Sequence, residues 1–177
     1  MGGYTFMSTT VLHTAVAATA LAAAVLTAPS AVAAHEPEIQ ASKKADAKTK
    51  FFVQANPQAV AAAATVCGTG FDQVSRVVPL PEGTDPRERL ATLFTYINSS
   101  GKGCAILDNN VGSARYMYLK VCDINGTHCD TDSGTFSQYA GPVYVPSVAC
   151  APVTAKMGKT SSDLFINYKN EYVFPCN

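Results

Sequence analysis

Six cysteines constrain the fold of this chain more than any other feature of its sequence. All of them follow a segment with the pattern of an export signal, and they are Cys67, Cys104, Cys122, Cys129, Cys150 and Cys176. An even number of cysteines in an exported chain is typical of disulfides, because an oxidising compartment favours the bonds. We therefore predict three disulfides with a structural role, rather than catalytic or metal-binding cysteines.

The export signal is predicted at residues 1–33. Residues 10–34 carry no formal charge, the apolar core lies at 15–26, and Ala31-Val32-Ala33 has the pattern of a cleavage site. The pattern is incomplete at its start, because no Lys or Arg precedes the apolar run. The uncharged stretch is long enough to span a bilayer, so a membrane anchor is the alternative. We predict cleavage, a secreted product, and no membrane attachment afterwards.

Residues 34–66 are predicted to form a flexible arm. The first part is polar and rich in Ala and Lys, and it lacks the apolar content that would offset the cost of ordering. Residues 51–53 (Phe-Phe-Val) could form a short strand or an adhesive patch. Further along, Asn56 followed by Pro57 predicts a helix start, with Asn56 as the N-cap, although so short a helix is marginal in isolation.

Residues 67–177 are predicted to form one disulfide-stabilised β domain. Short runs of β-forming residues alternate with turn residues, which predicts strands at 71–80, 90–97, 104–107, 115–121, 141–148, 164–168 and 172–174. The run at 115–121 alternates between two kinds of side chain, as expected for a strand with two unlike faces. Pro142 and Pro146 indicate that the strand at 141–148 is an edge strand. The pattern favours an all-β fold, a small antiparallel sandwich or barrel.

The segment from Cys122 to Cys129 predicts the best-defined disulfide. Asn125-Gly126 favours a two-residue hairpin turn, because both residues tolerate positive φ. This turn makes the two cysteines a hydrogen-bonded pair with Cα atoms about 5.5 Å apart. Their bridge would contribute roughly 2.5 kcal/mol through loop-closure entropy. The other four cysteines allow three pairings, of which we favour the two sequential loops, Cys67 with Cys104 and Cys150 with Cys176.

Composition and motifs argue against several functions. Lys+Arg and Asp+Glu number 13 each, whereas nucleic-acid binding usually needs a basic excess. No C-x-x-C motif occurs, and the only histidines after the signal are His35 and His128, so no metal site is predicted. His128 lies beside a predicted disulfide and no G-x-S-x-G occurs, so no catalytic triad is predicted either. We expect a non-enzymatic protein without cofactor, metal or nucleic-acid partner.

Aromatic residues are the better lead to a function. Five of them cluster in the middle of the β domain: Tyr116, Tyr118, Phe136, Tyr139 and Tyr144. On an exposed face they could stack on sugars or on a partner protein. In the interior they would form the core of a domain without Trp, which is the commoner role. A binding face of these residues is therefore a hypothesis that depends on their exposure.

Residues 133–145 (Ser-Gly-Thr-Phe-Ser-Gln-Tyr-Ala-Gly-Pro-Val-Tyr-Val) resemble the D/S-G-x-[YF]-x-x-Y-A-G-P-V-Y-V segment of the spore-associated protein A family. These are small secreted proteins of filamentous, spore-forming actinobacteria. The Cys-Gly-Thr-Gly-Phe stretch at 67–71, the segment at 93–104 and Cys150 resemble further family segments in the same order. Cys176 also fits. A stretch containing Trp and Gly, common in the family after Cys150, is replaced here by Ala-Pro-Val at 151–153.

The resemblance implies that four cysteines form an inherited scaffold and that Cys122 and Cys129 are an addition. The family name records an association with spores, not an activity, so no catalytic residue carries over. We therefore expect a secreted binding or structural protein at the spore or cell surface, with spore-coat or cell-wall components as partners. The alternative is a secreted hydrolase inhibitor acting through the hairpin at 122–129 or the loop at 79–86. A small secreted hydrolase is the least favoured hypothesis.

Overall fold

The chain folds around two β-sheets, and a computed structural model describes residues 38–176. The helices are α1 (Ala47–Ala55) and α2 (Pro57–Cys67), with a 3-10 turn at Pro86–Glu88. The strands are β1 (Gln40–Ala41), β2 (Gln73–Leu80), β3 (Ala91–Ile97), β4 (Gly103–Asn109), β5 (Arg115–Cys122), β6 (Cys129–Phe136), β7 (Tyr139–Val145), β8 (Val153–Gly158) and β9 (Leu164–Asn170). The predicted signal peptide and its cleavage site lie outside the described residues.

The two sheets are largely antiparallel. One has five strands in the order β1-β2-β3-β4-β7, and the other has four in the order β6-β5-β8-β9. The short β1 is parallel to β2, and the remaining neighbours among the described strands are antiparallel. The prediction of an all-β antiparallel sandwich is therefore confirmed. The position of β7 at the edge of its sheet is as Pro142 predicts, because proline cannot donate a hydrogen bond to a neighbouring strand.

The core between the sheets follows from the two-residue periodicity of the strands. Met117, Leu119 and Val121 of β5 are completely buried, and they pack in one cluster with Leu93 and Leu107 of the five-stranded sheet. The residues between them on β5 must point to the opposite side. The alternation at 115–121 therefore decides which face of the four-stranded sheet is available to solvent.

A second core lies on the other face of the five-stranded sheet, under the two helices. Phe52 of α1 and Val60 of α2 pack there with Phe94 and Ile106 of the sheet. Tyr96 is completely buried beside them, and its hydroxyl donates a hydrogen bond to the Val60 carbonyl at 2.7 Å. The molecule therefore has three layers: helices, a five-stranded sheet and a four-stranded sheet.

The part of the predicted arm that the structure describes is folded. Helix α2 begins at Pro57 with Asn56 as the N-cap residue, as predicted, although the Asn56 side chain donates to the carbonyl of Phe52 in the preceding helix instead of capping its own. The Asp46 carboxylate pairs with Arg76 of β2 at 3.0 Å. The structure therefore places two helices and a short strand at residues 40–66, within the segment predicted to be a flexible arm. The sheet supplies the apolar contacts that such short helices lack in isolation.

Three strands, β1, β6 and β8, lie where the sequence pattern predicts none. Strand β6 is polar and half exposed, and its pairing with β5 over all eight residues holds it in place. Strand β8 is short but central, because it pairs with both β5 and β9. The strand predicted at 172–174 is absent from this region, which is irregular although Val173 and Phe174 are buried.

The six cysteines form the three pairs that the sequence favours. These are Cys67–Cys104, Cys122–Cys129 and Cys150–Cys176. The first pair joins the end of α2 to β4 and is buried in the helix-side core. The predicted disulfides are therefore confirmed, and one of them holds the helices to the sheet.

The loop of the Cys122–Cys129 hairpin differs from the predicted two-residue turn. The Gly126 amide donates to the Asp123 carbonyl at 2.9 Å, so the tight turn begins earlier, and Gly126 itself has a φ of 71°. The Asp123 amide donates to the His128 carbonyl at 2.9 Å. The cysteines are thus the next, non-hydrogen-bonded pair of the ladder, with Cα atoms 4.0 Å apart instead of the predicted 5.5 Å.

Candidate functional site

The five aromatic residues of the hypothesised binding face do not lie on one surface. Tyr139 and Tyr144 belong to β7 and pack against the helix-side core. The hydroxyl of Tyr144 donates to the Cys67 carbonyl at 3.1 Å. Phe136 packs against the other core, between the sheets. These three side chains therefore support the fold, and the two tyrosines of β5 are the members of the set that point elsewhere.

Tyr116 and Tyr118 project from the outward face of β5. Both are partly exposed, and the completely buried Met117 lies between them on the strand. Strand geometry puts their Cα atoms roughly 6.7 Å apart on the same side. The helices contact the other sheet, through β2, β3 and β4. The two tyrosines thus lie on a sheet face that the helix layer does not cover.

We call this surface the outer face. The register of the four strands defines it. Its side chains are Thr131, Ser133 and Thr135 on β6, Tyr116, Tyr118 and Lys120 on β5, Thr154 and Lys156 on β8, and Phe165, Asn167 and Lys169 on β9. Gly158 and the Cys122–Cys129 bridge occupy the remaining outward positions. Aromatic rings, hydroxyls and ammonium groups therefore share one sheet face.

The neighbours of the tyrosines are set by strand pairing. Tyr118 lies opposite Ser133 on one side and Lys156 on the other. The Lys156 ammonium is 5.3 Å from the centre of the Tyr118 ring, within the range of a cation–π contact. Tyr116 lies opposite Gly158, which has no side chain.

Phe165 is a third aromatic of the outer face, and the aromatic clustering in the sequence does not indicate it. It is 37% exposed, whereas the next residue, Ile166, is 3% exposed. A Cβ at Gly158, opposite the start of β9, would overlap the backbone of Asp163. The alternation of Phe165, Asn167 and Lys169 with buried residues was the available signal in the sequence, because it places Phe165 on the polar side.

The charged groups of the outer face are all positive. Lys120, Lys156 and Lys169 lie on three successive strands, and the register places Lys120 and Lys169 on either side of Thr154. Strand spacing puts neighbouring lysine Cα atoms roughly 8–10 Å apart. No Asp or Glu occupies an outward position of β5, β6, β8 or β9.

The carboxylates of β6 face the opposite direction. Asp132 accepts a hydrogen bond from the Gly141 amide at 2.7 Å, and Asp130 accepts one from the Tyr144 amide at 2.8 Å. These amides belong to β7, at the edge of the other sheet, so the two aspartates join the sheets. Because the Asp130 and Asp132 side chains point between the sheets, Lys120 of the outer face has no carboxylate opposite it on β6.

The hairpin tip carries a separate polar cluster. The Asp123 carboxylate lies 2.8 Å from both His128 Nδ1 and the Thr127 hydroxyl. These hydrogen bonds hold the pKa of Asp123 well below its usual range, and the bond to His128 has the largest effect. The hydroxyl also lies 3.1 Å from the same Nδ1. A catalytic relay requires the acid and the nucleophile on different ring nitrogens. This geometry suits a rigid turn rather than an active site.

Two cavities lie on the helix side. The larger, about 1140 Å³, is a groove between the helices and the loop at 68–72, and the smaller, about 360 Å³, lies between α2 and the sheet. The smaller is lined in part by Asp108, whose pKa is raised by burial. Asp108 accepts a hydrogen bond from the Asn110 amide at 3.0 Å. We find no nucleophile paired with a base in the described lining of either cavity.

Residues 38–176 contain neither a cluster of potential metal ligands nor a helix that could span a membrane. No three His, Cys, Asp or Glu side chains come together there as a metal site would require. Within the same range, neither helix has the length and apolar character needed to cross a bilayer. The strongest feature of the described chain is therefore a surface, the outer face.

Comparison with known proteins supports the resemblance found in the sequence. The chain is 33% identical over 81 residues to spore-associated protein A of Streptomyces coelicolor. The match covers 45% of this chain and 48% of the relative, so the chain spans about half the length of the curated relative it matches. No protein-family model and no solved structure matches. The chain is thus a distant relative of spore-associated protein A, related at the level of a family resemblance.

Proposed function

We propose that this protein is secreted and acts at the spore or cell surface as a non-enzymatic binding protein. The observation that carries the proposal is the outer face, where Tyr116, Tyr118 and Phe165 lie among hydroxyl and ammonium groups on a rigid sheet. Aromatic rings beside polar groups suit the faces and hydroxyls of sugars. The name of the Streptomyces relative, spore-associated protein A, supports a location at the spore.

The covalent structure also supports an extracellular role. Three disulfides are stable in an oxidising environment and are rare in reducing ones. They suit a small domain that must persist outside the cell without a large core. The predicted signal peptide at residues 1–33 is consistent with this location.

The location is tested by fractionating a culture of the producing organism. A specific antibody should detect the protein in the spore or wall fraction, and detection in the culture fluid alone would contradict the proposal. Binding is tested separately, by sedimenting purified protein with isolated walls and spores. We expect Y116A/Y118A to lose sedimentation with the walls.

The matched control for the tyrosine variant is Tyr172→Ala. Tyr172 is 68% exposed and follows β9, so it is an accessible tyrosine outside the outer face. Y172A should sediment like the unmodified protein. Equal loss in Y172A and Y116A/Y118A, or no loss in either, would exclude the outer face as the binding surface.

A hydrolase inhibitor is a second candidate function, and the tip of the hairpin at 122–129 favours it. Ile124 is 61% exposed on a turn held by the Cys122–Cys129 bridge and by three hydrogen bonds to the Asp123 carboxylate. A rigid loop with an exposed apolar side chain could occupy an enzyme cleft with little loss of entropy. If the protein inhibits secreted hydrolases and I124D does not, the inhibitor function is supported. If I124D still binds walls, the inhibitor function is separate from the surface-binding function.

A further inference from the structure

We propose that the outer face binds a linear anionic glycan of the cell wall, with sugar rings on the tyrosines and anionic groups on the lysines. This inference rests on the proposed surface-binding function and adds the chemical class of its ligand. The outer face has a charge distribution that the balanced net charge of the whole chain conceals.

The outer face differs in charge from the chain as a whole. Acidic and basic residues are equal in number over the full sequence, yet Lys120, Lys156 and Lys169 are the only formally charged side chains at the outward positions of β5, β6, β8 and β9. The acids of β6 are used between the sheets, where Asp130 and Asp132 accept hydrogen bonds from β7 amides. A local positive potential follows, and it complements a polymer with repeated negative charges.

The arrangement of the lysines suits an extended ligand. They lie on β5, β8 and β9, so they extend across the strands rather than converging on one point. A single phosphate or carboxylate could contact one of them, and the separation of roughly 8–10 Å between neighbouring Cα atoms prevents a compact anion from contacting all three at short range. A polymer that crosses the strands can contact each lysine in turn.

The aromatic residues favour a glycan over other polyanions. Tyr118 lies between Ser133 and Lys156, so one ring has a hydroxyl on one side and an ammonium group on the other. Threonines at 131, 135 and 154 add hydroxyls to the same face. Sugar rings present apolar faces with hydroxyls at their edges, which matches this pattern. Nucleic acids normally require a larger basic excess than three lysines supply.

The experiment uses the secreted chain with its disulfides intact. Binding to polygalacturonic acid is compared with binding to the same polymer after methyl esterification, which removes the charge and keeps the sugar backbone. We expect binding to the acid form, weakened by salt, and little binding to the ester. K120Q/K156Q/K169Q should reduce the affinity for the acid form about tenfold, because each exposed ion pair contributes modestly.

The control variant removes the same charge elsewhere. Lys43, Lys48 and Lys102 are exposed and lie outside the outer face. K43Q/K48Q/K102Q should bind like the unmodified protein. Equal weakening in both triple variants, or equal affinity for single-stranded DNA and the polyuronate, would overturn the inference in favour of non-specific charge attraction.

Failure of this inference can be told apart from failure of the proposed function. Suppose that isolated walls bind the protein and that Y116A/Y118A abolishes this binding, whereas K120Q/K156Q/K169Q does not. The proposed surface function then stands, and the anionic ligand is wrong. If walls and spores bind none of the proteins, the proposed function itself fails. If both variants lose binding to walls and to polygalacturonic acid, both proposals are supported.

Discussion

Phe51 and Phe52 offer a direct test of whether the segment before Cys67 belongs to the fold. The two residues are adjacent in helix α1 and identical in type, but Phe51 is 72% exposed and Phe52 is 7% exposed. A flexible segment would make them equivalent. We predict that F52A strongly destabilises the protein and that F51A leaves its stability almost unchanged.

The expected loss for F52A follows from the contacts of its ring. Removing a buried Phe side chain sacrifices about 1.5–3 kcal/mol of apolar burial. The ring also makes an edge-on contact with Phe94, with centroids 6.0 Å apart, worth about 0.5–1.5 kcal/mol. The Arg89 guanidinium lies 5.6 Å from its centre and adds about 0.5–1 kcal/mol. The total of roughly 2.5–5.5 kcal/mol brackets the cost usually seen for Phe→Ala in cores, about 3–5 kcal/mol.

The assay is urea unfolding of both variants with the disulfides intact, followed by hydrogen exchange of the helices. F51A should lie within about 0.5 kcal/mol of the unmodified protein, as is usual for exposed positions. If α1 and α2 detach before the sheets unfold, F52A will show faster exchange in the helices ahead of global unfolding. Equal stability and equal helix exchange in the two variants would refute the packing argument.

Three further predictions concern polar side chains and their hydrogen bonds. D132A should lose about 1.5 kcal/mol of stability in urea unfolding, because the Gly141 amide loses its charged acceptor. Y96F should lose roughly 1–2 kcal/mol by the same measurement, since the hydroxyl of Tyr96 donates to the Val60 carbonyl in a fully buried site. D123N should be less stable than the unmodified protein at pH 6 and should converge with it in acid. The pKa of Asp123 is lowered from 3.8, so its stabilising effect is complete above that pH and is lost as the pH falls.

A specific experimental result would contradict each of these predictions. S133A removes an outward hydroxyl from the same strand as Asp132, so equal losses in S133A and D132A would exclude the proposed contact between the sheets. Y118F is the control for Y96F, since Tyr118 is partly exposed, and equal effects would mean that the buried hydrogen bond contributes nothing. A stability difference between D123N and the unmodified protein that grows toward acid would reverse the sign of the linkage.

Several features were predictable because they depend on residues close in sequence. The alternation at 115–121 placed Met117, Leu119 and Val121 inward, and the structure buries all three. The short separation of Cys122 and Cys129 made their pairing predictable even though the turn differed from the expected one. The helix start at Pro57 was also local.

The outer face needed the strand order and the register. The sequence clustered Tyr116 and Tyr118 with Tyr139 and Tyr144, but the strands carrying the two pairs belong to different sheets. Phe165 joins Tyr116 and Tyr118 only because β8 connects β5 to β9. No local pattern encodes which strands are neighbours, since that depends on contacts between residues far apart in the chain.

The sequence by itself determined that this is a disulfide-stapled β protein with at least one two-faced strand and a local cysteine hairpin. Only the tertiary structure decided that residues 40–66 fold, that the acids of β6 join the sheets, and that Lys120, Lys156 and Lys169 share a face without carboxylates. Periodicity and short loops depend on neighbouring residues. Burial of a weak helix and the sign of a surface charge patch depend on what another part of the chain places beside them.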